Sequence, residues 1–257
     1  MHEFRELLEL SKQIARQAGQ ELLASSSKFL NTYTHSIDHP KEIKSIADRF
    51  LEEDILKEIR QIGLPILSEE SGYIHAPTES NYCFIIDPLD GTFNYVKGLG
   101  PSAISIALWR DNKPVFGVIY NLSDQKLSWG GCEISAYCED QPISVSTTTV
   151  IARASICSGF PVRFDSASDI EALKYLRTIR SFAKVRMLGS AAISLLHVAN
   201  GSADAYSEKH IMLWDVAAGL AIVEGAGGRY SLKETGSDWC YDVSASNAIL
   251  LDEQTGF

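Results

Sequence analysis

Two carboxylates three positions apart, Asp87 and Asp90, leave an apolar run in the stretch CFIIDPLDGTFNY. Residues 83–86 read as a buried strand, and Pro88, Gly91 and Thr92 follow among the acids. A turn alone could use these residues, since Pro sets φ, Asp caps and Gly turns. A hard divalent cation could use them too, because it needs several oxygens fixed close together. Three further acids occupy comparable places: Glu70 after a short apolar segment, Asp48 at the start of one helical pattern, and Asp215 at the start of another. Each taken singly is a cap or a solvated loop acid. Five acids, each beside an apolar element that would hold it rigid, are better explained as oxygen ligands for magnesium. Thr92 offers a hydroxyl that can hold a water, and Gly91 leaves backbone N–H groups open to a phosphate oxygen. Acids, open amides and a hydroxyl together suit transfer of a phosphoryl group to water, with metals neutralising the phosphate and acidifying a bound water.

The elements that must position these residues follow from periodicity. Residues 3–24 carry Phe4, Leu7, Leu8, Ile14, Ala18 and Leu22 at helical spacing, and 45–61 carry Ile46, Phe50, Leu51, Ile55 and Ile59. A polar stretch between them reads as a loop or loose hairpin. Residues 64–67 form a short strand, 72–81 a surface loop, and 103–109 with 115–120 two strands joined by the turn at Arg110 to Pro114. From residue 154 onward strands and helices alternate: strands near 154–157, 185–188, 203–207 and 228–232, and helices near 168–182, 189–199 and 214–225. The expected division is an N-terminal α+β half, 1–150, and a C-terminal α/β half, 151–257, acting as one catalytic unit.

The 257 residues carry 33 acids against 23 bases, a formal net charge of −10. That sign disfavours a nucleic acid polymer as partner. No uninterrupted apolar stretch reaches membrane-spanning length, and residues 1–13 lack a signal-peptide pattern. Five cysteines with no CxxC pair fit free thiols in a reducing cytoplasm.

Three segments together resemble the inositol monophosphatase family of magnesium-dependent, lithium-sensitive phosphatases: Glu69-Glu70-Ser71, Asp87-Pro88-Leu89-Asp90-Gly91-Thr92, matching DPxDGT, and Trp214-Asp215-Val216-Ala217-Ala218-Gly219, matching WDxAAG. The resemblance implies a five-layer αβαβα sandwich of the α+β class and a homodimer. It implies two to three magnesium ions: one held by Glu70, Asp87 and the carbonyl of Leu89, a second by Asp87, Asp90 and Asp215, and a weaker third aided by Glu70. Thr92, bonded to Asp48, would orient the attacking water, with Glu70 part of the same machinery. Asp90 and the amides of Gly91 and Thr92 would face the phosphate. Ser190 and Ala191, in a stretch similar to the family's GTAA, and Glu208, seven residues before Asp215, would line a polyol or sugar pocket. Lys41 would lie in the family's loop near the third metal or the phosphate. The departures are His210 where the family often has Gly, Lys44-Ser45-Ile46-Ala47-Asp48 for VTxxD, and Phe93 for Thr.

The function implied is hydrolysis of a small phosphate ester, inositol monophosphate-like, by metal-activated water. Related alternatives are a 3′-phosphoadenosine 5′-phosphate phosphatase, a fructose-1,6-bisphosphatase or a histidinol phosphatase. A catalytically silent regulatory homologue is an alternative of a different class.

Overall fold

The computed structural model describes residues 2–35, 43–160 and 169–250. Lys41 lies outside these residues. Helix α1 (His2–Ala24) is followed by β1 (Tyr33–His35) and β2 (Ile43–Ser45), which pair antiparallel, and by α2 (Ile46–Ile59). Then come β3 (Ile66–Ser68), β4 (Gly72–Ile74), β5 (Tyr82–Asp90), the short α3 (Thr92–Lys97), β6 (Ala103–Arg110), β7 (Lys113–Asn121), β8 (Lys126–Gly131), β9 (Ile134–Cys138) and β10 (Gln141–Pro142). The remainder is β11 (Ser155–Ser158), α4 (Asp169–Arg180), β12 (Lys184–Arg186), α5 (Ala191–Ala199), β13 (Ala205–Met212), α6 (Leu213–Gly225), β14 (Gly228–Glu234) and β15 (Cys240–Asn247).

Two large sheets result, one of eight strands in the order β10-β9-β8-β7-β6-β5-β3-β4, the other of five in the order β12-β11-β13-β15-β14. Side chains alternate across β5, and the alternation assigns the layers. Phe84 and Ile86 pack with Leu22, Leu51 and Ile55 of α1 and α2. Ile85 points the other way, into a core with Leu195 of α5, Val216 and Leu220 of α6, and Tyr206 and Val243 of the five-stranded sheet. The outer face of that second sheet packs Ile156 and Ala205 against Tyr175 and Ile179 of α4. The order of layers is α1/α2, sheet, α5/α6, sheet, α4: the αβαβα sandwich of the α+β class.

Helix α6 can serve as the shared middle layer because small residues let it approach. A methyl added at Gly117 of β7 would lie 2.2 Å from the Ala218 carbonyl oxygen, so backbone rests on backbone there. Trp109, read as a packing residue, is 3% exposed and donates its ring N–H to the Ala217 carbonyl at 3.3 Å.

Three local expectations change. Residues 72–81 are not all loop, since Gly72, Tyr73 and Ile74 form β4 against β3. The strand expected at 203–207 runs on to Met212 through an irregularity between Glu208 and Ile211. Strand β15, which joins β13 to β14, has no counterpart in the sequence reading.

Candidate metal and phosphate site

Strict alternation would put Asp87 and Asp90, an odd and an even position, on opposite faces of β5. The ladder between β5 and β6 is in register up to Asp87↔Ser105 and shifts before Asp90↔Ala103. This bulge returns Leu89 to the core beside α1 and α2 and leaves both acids on the α5/α6 side. Asp215, in the first turn of α6, meets them there, where its carboxylate accepts the Met212 amide at 3.2 Å. One carboxylate oxygen from each of Asp87, Asp90 and Asp215 lies within 4.8 Å of the others. Asp87 is 1% and Asp90 7% exposed.

The two strand acids have different surroundings. Asp90 accepts from the amides of Ala191 and Ala192, at 3.2 and 2.9 Å, and from the hydroxyl of Ser190. It caps the N-terminus of α5 jointly with Ser190, whose oxygen accepts the Ile193 amide at 3.2 Å. Burial lifts the Asp90 carboxyl to about 6 against these donors. Asp87 accepts the Leu89 amide at 3.0 Å on Oδ1 and is hydrogen-bonded to the neighbouring Glu69 side chain. Its Oδ2 is buried without a hydrogen-bond partner, shared among the described side chains only with the Tyr95 hydroxyl. Burial, then the charges of Glu69, Asp90 and Asp215, push Asp87 well above the carboxylate range, and burial with Glu69, Asp90 and Glu208 does the same to Asp215. Buried, mutually repelling carboxylates with an orphaned oxygen are what a divalent cation would neutralise, and the residues present fit magnesium.

The acidic pair after β3 requires a correction. Glu70 was expected at the metal, but Glu69 adjoins Asp87 and Asp215. Strand β3 runs parallel to β5 with Ser68 abreast of Ile86, and the Glu69 amide donates to the Ile86 carbonyl at 3.2 Å. One residue further along that register sets Glu69 beside Asp87 on the same face. Glu70 falls in the turn and accepts the Lys44 ammonium at 2.9 and 3.0 Å. Burial, then the charge of Asp48, raises Glu69 to about 8. Glu52, which the sequence reading passed over, secures this turn by accepting the Ser71 amide at 3.0 Å and the Ser71 hydroxyl at 2.7 Å. Its signal was available: it follows Asp48 by four on the face of α2 that carries Leu51, Ile55 and Ile59, all buried.

Beside the acids, the Thr92 hydroxyl lies 2.7 Å from Asp48 Oδ1 and 2.9 Å from the Leu89 carbonyl. Asp48 also acts as a cap, its Oδ2 accepting the Ser45 amide at 3.0 Å while Ser45 Oγ accepts the Ala47 amide at 3.1 Å. Burial raises Asp48 to about 6, against the hydrogen bond from Thr92. Gly91 has φ +81°, and a methyl there would lie 2.9 Å from the Pro101 carbonyl oxygen, so glycine alone suits this corner.

Ser190 and Ala191, expected along the substrate pocket, are spent on Asp90 and are 4% and 8% exposed. Glu208 is buried, accepts the Tyr206 hydroxyl at 3.0 Å, and is raised to about 7 by burial, with the charge of Asp90 adding. Gly159 leaves room for it, since a methyl there would come within 2.6 Å of Glu208 Oε1. His210 has φ +56°, a conformation that glycine adopts without cost, and its amide donates to Asp242 at 3.1 Å.

A buried carboxylate cluster at a strand end, flanked by a hydroxyl–carboxylate pair, is an arrangement that would suit metal-assisted hydrolysis of a phosphate ester. Residues 3–250 match the model of the inositol monophosphatase family. The chain is 32% identical over 256 residues to a fructose-1,6-bisphosphatase/inositol-1-monophosphatase of Aquifex aeolicus, covering 98% of this chain and 95% of that protein. It is 31% identical over 225 residues to the Nus factor SuhB of Pasteurella multocida, covering 86% and 83%. The crystal structure of the extragenic suppressor protein suhB from Bartonella henselae superposes with a TM-score of 0.83 at 31% identity, covering 95% of each chain. The chain belongs to the inositol monophosphatase family. None of its described helices is long and apolar enough to cross a membrane.

Proposed function

We propose that this protein is a magnesium-dependent phosphomonoesterase acting on a small polyol or sugar phosphate of the inositol monophosphate kind. The observation that carries the reading is the orphaned Asp87 Oδ2 inside the Asp87, Asp90, Asp215 cluster, next to the Thr92–Asp48 hydrogen bond of 2.7 Å. Glu69, Asp87, Asp90, Asp215 and the Leu89 carbonyl would hold two or three magnesium ions. Bound there, magnesium supplies charge neutralisation for the phosphate and a lowered pKa for water.

The chain's own groups supply the rest. Thr92 passes its hydroxyl proton toward Asp48 while its lone pairs accept from the attacking water. Asp48, raised to about 6 by burial, is close enough to neutrality to take that proton. The left-handed turn at Gly91 brings the Gly91 and Thr92 amides to the phosphate side. Water attacks phosphorus directly. Glu208, the buried acid next to Asp90, accepts hydroxyls of the alcohol. The same reading makes the protein a cytoplasmic homodimer with a small-molecule substrate and no nucleic acid polymer as partner.

Kinetics of Glu208→Gln test the substrate side. We expect KM for inositol 1-phosphate to rise about tenfold, the worth of one buried charge-assisted hydrogen bond, with hydrolysis of p-nitrophenyl phosphate little altered. Equal losses on both esters would remove Glu208 from the alcohol pocket. The relatives bearing the SuhB name support a second reading, a regulatory partner without turnover. The carboxylates stand against it: a silent protein has no use for a buried acidic cluster that opposes folding.

A further inference from the structure

Lys44 stands on β2, one residue before the Ser45 cap of α2. Its ammonium contacts both oxygens of Glu70, at 2.9 and 3.0 Å, and the Glu70 side chain is 8% exposed against 41% for Lys44. A carboxylate so little exposed needs a counter-charge held close. The same ammonium favours the charged form of the adjoining Glu69. One side of the Glu69–Glu70 pair is thus neutralised by the chain itself. The other side faces Asp87 and Asp215, where the described contacts of the carboxylates are backbone amides, Ser190 and one another, with no cationic side chain among them and an orphaned oxygen on Asp87.

The contrast between the two sides gives Lys44 a role. Were Glu70 without its lysine, the outer side of the pair would present a nearly buried carboxylate beside a second acid, a place for another divalent ion. A lysine ammonium reaching it on a four-carbon stem competes for the same oxygens and repels a second cation from them.

Resting on the metal site proposed above, we propose that Lys44 is a built-in cation of the site: it takes the outer side of the Glu69–Glu70 pair and limits the cluster to two magnesium ions. Lys44 touches neither substrate nor reacting atoms and is a positioning residue, acting through Glu69 and Glu70.

The test is calorimetric titration of magnesium into the metal-stripped full chain, a readout independent of turnover. Wild type, Lys44→Met, Glu70→Gln and the double variant are compared. Methionine keeps most of the stem, so packing is retained while the charge is lost. In wild type two ions are expected. Lys44→Met should bind a third ion, or bind its weakest ion about fivefold tighter, the factor for one partly screened charge. Glu70→Gln leaves the ammonium unbalanced beside Glu69 and should weaken binding by about the same factor. The double variant should return near wild type. A purely structural ion pair would weaken binding in both single variants. An unchanged or weakened isotherm for Lys44→Met, with wild type still binding two ions, overturns the role of Lys44. Absence of any magnesium binding by wild type overturns the metal site itself, and the proposal with it.

Discussion

At its first turn helix α6 turns Asp215 toward Asp87, Asp90, Glu69 and Glu208. One turn further along the same helix rests Ala218 against Gly117 of β7, too close for any added methyl. The first region is electrostatically opposed to folding, since buried carboxylates repel one another and lose hydration. The second is a dry seam of backbone and small side chains, where every displacement opens a void or a clash. The pairing explains how the acids stay together. The seam fixes the helix, and the fixed helix holds Asp215 where repulsion would otherwise move it. Asp90 is restrained similarly, by the amides of α5. Stability is generated in one region and spent in the other.

The largest break in this comparison is Asp87→Asn. Turnover should fall by about 1000-fold, because an acid central to the metal site contributes several kcal/mol to the transition state. The metal-free protein should melt about 2–4 °C higher, since one repelling charge is gone. Calorimetric unfolding and phosphate release together check this. A fall in both quantities would contradict the view that the cluster opposes folding.

Gly117→Ala attacks the other region. A methyl 2.2 Å from the Ala218 carbonyl oxygen must push α6 outward, and we expect a loss of about 3 kcal/mol in urea unfolding. Magnesium affinity should weaken with it, although Gly117 touches no acid. Intact affinity would separate the seam from the site. Thr92→Val is smaller in effect. Turnover should drop about 30-fold through loss of the proton relay, with magnesium binding unchanged in the same titration.

The last comparison is with pH. Glu69 at about 8, Glu208 at about 7, and Asp48 and Asp90 at about 6 all bind protons more tightly in the folded chain than in the unfolded one. Below about pH 4 both states are protonated and these groups are neutral to stability. As pH rises from there to 8 the unfolded chain releases its protons first, so stability falls. The metal-free protein should melt at a clearly lower temperature at pH 8 than at pH 5, as scanning calorimetry at the two pH values would show. Saturating magnesium should reduce or reverse that difference, because it favours the ionised acids.

Much of this was legible in the sequence where local chemistry decides. The start of α2 near Ser45 with Asp48 in its first turn, the start of α6 to within one residue, and the acids of the DPLDGT stretch follow from residue type and spacing. What escaped depends on register. Nothing in Glu69-Glu70 says which acid lies abreast of Asp87; the parallel pairing of β3 with β5 decides that. The bulge that turns Asp87 and Asp90 to one face is a property of the β5–β6 ladder. Strand β15 carries Ser244, Ser246 and Asn247 buried among apolar residues, so its pattern lacked a strand's usual alternation. His210 could be marked only as a departure, until its left-handed φ showed why glycine suits that position.

The measurement that bears most directly on the account is phosphate release by the wild-type protein with magnesium and with a chelator. The panel is inositol 1-phosphate, sugar phosphates, fructose 1,6-bisphosphate, histidinol phosphate and 3′-phosphoadenosine 5′-phosphate. The account predicts release that requires magnesium, is inhibited by lithium, and is fastest with inositol 1-phosphate or a sugar phosphate. A protein that binds magnesium yet releases phosphate from none of these esters would contradict it.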